Sequence, residues 1–394
     1  MKQEFFRKKL KNGVTVLFEK RKQNVVSVSA SVKEGSAFES EDKKGISHFI
    51  EHLMFKGTKT RNYKEIAKEI EKKGGVLNAY TGEDITCYWN KLPSKHLTTG
   101  LDIVSDLILN PKFDPAELEK ERFVILEEIK MYHDTPSLYV QDKIKSLLFK
   151  KPFGLSGLGT PKNICKFSRE DIARYFKKKY TSNKMILCVV GNADIEEIIR
   201  FGEKFPKTKS KEERVRVKKI NKQTIEKRKG LDQAHITLGF HFNEKERYAN
   251  EIFNTILAKG MASRLFEELR EKRGLAYSVQ GFLELGKGYG YQVIYAGTTK
   301  KNVRLCKEII LKEIKKLQKL EKRDFEECKE QLIGLRKVGS EESVNVMNAL
   351  IQEEVCGNAL EFYKYDEKIK KVKLKDVRKL SKIKGFSSFV LVPE

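Results

Sequence analysis

Apolar and polar positions alternate over residues 13–19 (GVTVLFE) and 25–33 (VVSVSASVK), which predicts two half-buried strands. The period becomes helical over 44–56, with Gly57 as the C-terminal stop. A charged helix is expected over 62–73, ending at Gly74-Gly75, and strand-like segments follow at 76–80 and 84–90. Asp114-Pro115 marks another start: an acceptor side chain at the cap, then proline at the first helical position. That helix is expected to reach about Tyr132, to break at DTP (134–136), and to be followed by a further helix to about Phe149. MILCVVG at 185–191 is a continuous apolar run and reads as a buried strand.

Part of this order returns later in the chain. AKEIEKKGGVLNAYT at 67–81 resembles FEELREKRGLAYSVQ at 266–280. An offset of 200 residues brings Gly74 onto Gly274, and in both copies a charged helix ends at the glycine and a strand follows. Between the halves lies the basic run 206–229, with eleven Lys/Arg against three Glu. The expected fold class is α+β: two homologous mixed α/β domains, 1–205 and 230–394, joined by a basic linker at 206–229.

Composition narrows the function. With 394 residues, 39% of them hydrophobic, the chain can bury ordinary cores. No stretch approaches the ~20 apolar residues of a membrane span, and MKQEFFRKKLKNGVTVLFEK lacks the apolar run of a signal peptide. The expectation is a cytoplasmic protein with no membrane partner. Six scattered cysteines without a CxxC pair predict neither disulfides nor a thiolate metal site. A net charge of +25 raises the question of nucleic acid. Lys and Glu interleave along the helices, however, and the dense basic run has no aromatic residue to stack bases, so no nucleic-acid partner is expected.

The chemistry concentrates in KGISHFIEHLMFKGT, residues 44–58. On a helix, positions i, i+3 and i+4 share a face, so His48, Glu51 and His52 point the same way. Two imidazoles four residues apart suit one tetrahedral zinc, and a glutamate beside the second can reach a zinc-activated water as general base without being a ligand. This is the HxxEH arrangement, the reverse of HExxH. The competing interpretation is an amphipathic helix, since Phe49, Ile50, Leu53, Met54 and Phe55 supply apolar packing. A catalytic zinc needs a third protein ligand. ERFVILEE at 121–128 offers Glu121 and Glu128, seven apart and on one helix face, with Glu127 pointing elsewhere. Acidic residues on charged helices are usually solvated.

Taken together, HFIEHLMFKGT, GGVLNAYTGEDITCYW and ERFVILEEIKMYHDTP closely resemble the pitrilysin–insulinase–mitochondrial processing peptidase family of inverzincin metallopeptidases. The family's third ligand is a glutamate about 76 residues after the second histidine, with another glutamate seven residues earlier. The resemblance therefore implies His48, His52 and Glu128 as ligands of one zinc per chain, Glu51 as general base, and Glu121 as a support behind the ligands. The neighbouring Glu127 competes for this role, but the seven-residue pairing favours Glu128. NAYT matches an edge strand that pairs with substrate backbone, which places Asn78 and Ala79 beside the scissile bond. GMASRLFEELREKRGLAYSV at 260–279 carries the family's Arg/Tyr pair, Arg270 and Tyr277, donors for substrate and for the tetrahedral oxyanion.

The implied fold is processing-peptidase-like, and this chain corresponds to half of a clamshell of four homologous domains. The implied assembly is a homodimer in which Arg270 and Tyr277 serve the zinc domain of the other chain in trans. The implied substrate is an unfolded peptide, because a closed chamber excludes folded proteins. Two other classes stay open at this point: a non-catalytic scaffold or assembly subunit of the same fold, and a basic nucleic-acid-binding protein.

Overall fold

The computed structural model describes residues 4–211 and 213–394. Residues 1–3 of the expected N-terminal domain and residue 212 of the expected linker lie outside the described residues. In the first unit, β1 (Phe5–Lys9), β2 (Thr15–Lys20), β3 (Val25–Val32), β4 (Val76–Thr81), β5 (Thr86–Pro93) and β6 (Met185–Gly191) form one sheet. Its order is β1-β2-β6-β3-β5-β4. In the second unit, β7 (Gln223–Arg228), β8 (Ala234–His241), β9 (Ala276–Gly286), β10 (Tyr289–Thr298) and β11 (Ser387–Pro393) form another, in the order β7-β11-β8-β10-β9.

Without β1, the two orders are the same: first, fifth, second, fourth, third. The strand senses match as well. β2 runs parallel to β6 as β7 does to β11, and every other pair among these ten strands is antiparallel. The repeat at 67–81 and 266–280 is thus one part of a complete duplication, and the chain consists of two homologous mixed α/β domains.

Each unit has its own apolar core. In the first, Val26, Val28, Ala30 and Val32 of β3 pack with Phe49, Ile50, Leu53 and Met54. The alternation in β3 predicted one wet face, yet Ser27, Ser29 and Ser31 are buried. Helix Ser343–Cys356 covers that face, and Ser27 Oγ meets Ser343 Oγ at 2.8 Å. Small hydroxylated side chains let a helix lie close against the sheet.

The units are not the two continuous halves expected from the sequence. The first comprises 1–129, 157–215 and 339–362, and the second comprises 130–156, 216–338 and 363–394. Each sheet is therefore backed by a helix from the other half of the chain. Helix Ser343–Cys356 lies on β3 and β6, and Pro136–Leu148 lies on β8 and β11. The expected linker also differs: its last part is β7, paired with β11. Its first part is tied to the first unit, where Ser182 N–H donates to Thr208 Oγ1 at 2.9 Å and Lys179 Nζ meets Glu213 at 2.9 Å. A lysine-rich segment can still be a strand when it lies at a sheet edge, where alternate side chains reach water.

Candidate metal centre

Helix α1 (Ile46–Met54) carries the HxxEH residues, and only Glu51 and His52 among its nine residues are not buried. Its start is fixed from outside the helix. The Glu39 carboxylate accepts the Gly45 N–H at 2.9 Å and the Ser47 N–H at 2.8 Å, satisfying donors that the first turn leaves open. Burial pushes the Glu39 carboxyl up to about 7, against the pull of Lys44 and of these N–H groups. Gly45 adopts φ +96°, and a Cβ there would stand 2.5 Å from Gly159 Cα. Asn163 secures the same approach by donating to Glu41 O at 2.8 Å. The segment 157–164 is therefore a clamp on the start of α1.

Further along the first unit come α2 (Tyr63–Glu71), α3 (Leu97–Leu109) and α4 (Pro115–Asp134). Asp114 Oδ1 caps α4 by accepting the Ala116 N–H at 2.9 Å. Leu118, Glu121 and Ile125 are its buried residues, and Glu128 continues the same stripe. This face meets α1. His52 Nε2 lies 3.2 Å from His48 Nε2, and Glu128 Oε2 lies 3.4 Å from His48 Nε2 and 3.5 Å from His52 Nε2. A tetrahedral zinc with bonds of about 2.0–2.1 Å requires its ligands about 3.3–3.4 Å apart. The three atoms form one face of such a tetrahedron and leave the fourth corner to water or substrate. Among the described residues, His48, His52 and Glu128 are the group of donors able to hold a metal ion. Glu127 is exposed and stands outside it.

The surroundings suit a cation. Burial, then the neighbouring His52, drive the His48 imidazole down to about 4, so its nitrogen is available as a ligand at neutral pH. Burial works against charge on His52 too, but its hydrogen bonds to Glu121 and Glu128 outweigh that and raise it to about 9. His52 Nδ1 meets Glu121 Oε2 at 3.0 Å, an arrangement that turns Nε2 toward the other donors. Lys56 Nζ holds the second Glu121 oxygen at 2.7 Å. Despite burial, these contacts with His52 and Lys56 keep Glu121 below the usual carboxylate range.

Glu51 shares this wall without entering the donor triangle. Burial raises its carboxyl, and the Thr81 hydroxyl opposes that by donating to Glu51 Oε2. Thr81 ends β4, the edge strand, which pairs with β5 alone. Asn78 and Ala79 lie on the same strand, and the Ala79 N–H donates to Asn78 Oδ1 at 2.8 Å.

Arg270 and Tyr277 belong to the second unit. Arg270 sits in a π-turn, Glu267–Glu271, and donates from Nη1 to Tyr277 O at 3.3 Å, with its guanidinium 5.4 Å from the Tyr277 ring centre. Tyr277 is 76% exposed at the start of β9, the edge strand of its sheet. The two side chains are thus adjacent to each other. His48, His52, Glu51, Glu121 and Glu128 form a separate cluster within the first unit.

Sequence patterns left out Thr81, Lys56 and Glu39. Lys56 is four residues after His52, a helical spacing that could have flagged it. Thr81 stands in the NAYT stretch. Glu39 has no periodic relation to α1, and only the folded backbone brings it to the helix start.

Comparison with known proteins identifies the family and the fold. Residues 14–161 match the family model described as insulinase (peptidase family M16), and residues 166–332 match the one described as peptidase M16 inactive domain. An uncharacterized zinc protease of Rickettsia bellii is 34% identical over 93% of this chain and 90% of its own length. The uncharacterized zinc protease YmxG of Bacillus subtilis is 31% identical over 86% of this chain and 87% of its own length. A protease from Helicobacter pylori superposes with a TM-score of 0.93 at 22% identity, covering 99% of this chain and all of that one. Its likeness shows the fold.

Proposed function

The chain belongs to the insulinase (M16) peptidase family, and on that premise we propose that it is a zinc-dependent endopeptidase hydrolysing unfolded peptides. The observation that carries this is the donor triangle of His48, His52 and Glu128, with Glu51 beside it and outside it. His48, His52 and Glu128 would hold one zinc per chain. When bound, zinc supplies a Lewis acid that polarises the scissile carbonyl and acidifies a water molecule.

Glu51 takes the proton of the attacking water on a carboxylate oxygen and later delivers it to the leaving amine. Thr81 orients that carboxylate. Glu121, held by Lys56, fixes the tautomer and ring plane of His52. Substrate in extended form adds to the edge of β4, so main-chain pairing supplies affinity with little demand on sequence. Asn78 and Ala79 then border the bond to be cut. Arg270 and Tyr277 supply donors to the oxyanion, and as part of the same proposal they do so in trans, within a homodimer.

The first test is cleavage of a quenched, unstructured peptide by the wild type and by Glu51→Gln, with zinc per chain measured on both. About one zinc on each, and turnover by the wild type alone, is the expected result. Zinc absent even after reconstitution overturns the peptidase assignment and leaves an assembly subunit of the same fold. For the dimer, mixing inactive Glu51→Gln with inactive Tyr277→Phe protein restores activity, because mixed dimers contain one intact site. No recovery despite proven subunit exchange excludes the trans arrangement.

A further inference from the structure

The duplication allows the two units to be compared position by position. In the first sheet Val32 of β3 pairs with Met185, where β6 begins, and in the second Gly239 of β8 pairs with Ser387, where β11 begins. Two residues further on lie Glu34 in the first unit and His241 in the second. Glu34 is fully buried and holds Lys184 Nζ at 2.8 Å, Lys179 Nζ at 2.9 Å and the Tyr175 hydroxyl at 3.1 Å. Lysines from the segment leading into the last strand of the sheet thus meet a carboxylate inside the fold.

By the same register the second unit has Ser381 and Phe386 where the first has Lys179 and Lys184, and its lysines stand instead at Lys379, Lys382 and Lys384. His241 is tied to backbone, with Nε2 3.0 Å from Ile220 O. Beside it is a cavity of about 330 Å³, lined among others by Phe240, Phe242, Phe253, Asn250 and Gln292, with Glu246, Lys379, Lys382 and Lys384 along its wall. Lys379 faces Glu246 at 3.7 Å. Lys382 and Lys384 are exposed, and no ion pair involves either among the described residues. The deep wall is polar as well as aromatic. Asn250 spends its N–H on Glu246 O at 2.9 Å, and Gln292 spends one on Asn254 Oδ1 at 2.9 Å. Both side chains are nine-tenths buried or more, and their carbonyl oxygens remain as acceptors.

We propose that this cavity of the second unit binds a carboxylate joined to an N–H and an apolar side chain, the chemistry of a peptide's C-terminal residue or of a free apolar amino acid. The ligand carboxylate pairs with Lys382 and Lys384, the two lysines of the wall that Glu246 does not engage. Its N–H faces Asn250 or Gln292, and its side chain packs on the three phenylalanines. The site is independent of peptide hydrolysis and stands even if the metal centre proves inert.

The probe is fluorescein-Gly-Gly-Phe, as free acid and as C-terminal amide, titrated by fluorescence anisotropy with full-length Glu51→Gln protein so that no turnover intervenes. The free acid is expected to bind at least about tenfold tighter than the amide, since charge-assisted bonds to lysine are lost in the amide. Lys382→Gln/Lys384→Gln, at two exposed positions, is expected to reduce free-acid binding to the level of the amide. Competition by unlabelled phenylalanine as strong as by Gly-Gly-Phe assigns the site to amino acids, and competition by the peptide alone assigns it to C-termini. Equal binding of acid and amide overturns the proposal, as does undiminished binding by the lysine variant.

Discussion

The two units share a backbone plan and differ in what a few side chains can do. After β3 the first unit places α1, with His48, Glu51 and His52 facing Glu128 of α4. After β8 the second unit places helix Arg247–Ala258, which contains no histidine. Its Asn254 serves packing: it donates to Gly281 O at 3.2 Å and accepts from Gln292 at 2.9 Å. Sheet order survives duplication because it rests on many interchangeable apolar contacts. A metal centre rests on three donor atoms within 3.5 Å of one another, and a few substitutions remove it. Fold and chemistry are therefore separable in this molecule.

The comparison breaks most completely if the first unit is deprived of its donor triangle. Glu128→Ala removes one corner of the triangle, and loss of stoichiometric zinc with at least about a thousandfold loss of turnover is expected. Glu127→Ala, one residue away on the exposed side of α4, should leave both within about twofold. Zinc content by atomic absorption and peptide cleavage decide it. If the two variants exchange these outcomes, the ligand assignment is wrong.

That pair of variants also marks where sequence was sufficient. The HxxEH spacing fixes its own geometry, because a helix brings i and i+4 together whatever surrounds it. Glu128 is harder: α1 and α4 are distant in sequence, and helical period alone offers Glu121 and Glu128 equally. Their different tasks, one on His52 Nδ1 and one on the Nε2 side, follow from how α4 lies against α1. Strand β6 was legible to its ends, since a run buried on both faces is apolar throughout. The helix exchange was not legible. Residues 136–148 have an amphipathic pattern that fits either sheet, and nothing local in Ser27, Ser29 and Ser31 tells that a helix about 320 residues away covers them. β7 was hidden within the basic run 206–229, whose charges an edge strand tolerates.

Smaller effects sharpen the contrast between holding a metal and using it. Glu121→Gln keeps a hydrogen bond to His52 and loses the charge. A drop of about 10–100-fold in zinc affinity is expected, measured by chelator competition. Unchanged affinity would mean that Glu121 merely packs. Thr81→Val leaves the donor triangle alone and frees the Glu51 carboxylate. A fall of about tenfold in kcat with little change in KM or zinc content is expected, with Thr81→Ser restoring the rate. A rise in KM alone would instead assign Thr81 to substrate pairing on β4.

The smallest effect tests the shared backbone itself. Gly74 and Gly274 coincide in the repeat and both take left-handed angles, φ +74° and +58°. A Cβ at either meets no heavy atom within 4 Å, so alanine there is opposed by backbone conformation alone. The two helix ends are closed by similar bonds. Gly75 N–H reaches Ile70 O at 3.0 Å, and Leu275 N–H reaches Leu269 O at 2.7 Å, one residue further back because the second helix ends in the π-turn that carries Arg270. Gly74→Ala and Gly274→Ala should each cost about 1 kcal/mol in denaturant unfolding, equal within a few tenths. If Gly274→Ala costs clearly more, the π-turn leans on that glycine, and the added effect should appear as lost turnover through Arg270. If the costs are equal, the turn is a plain relic of duplication, and the difference between the units lies in their side chains.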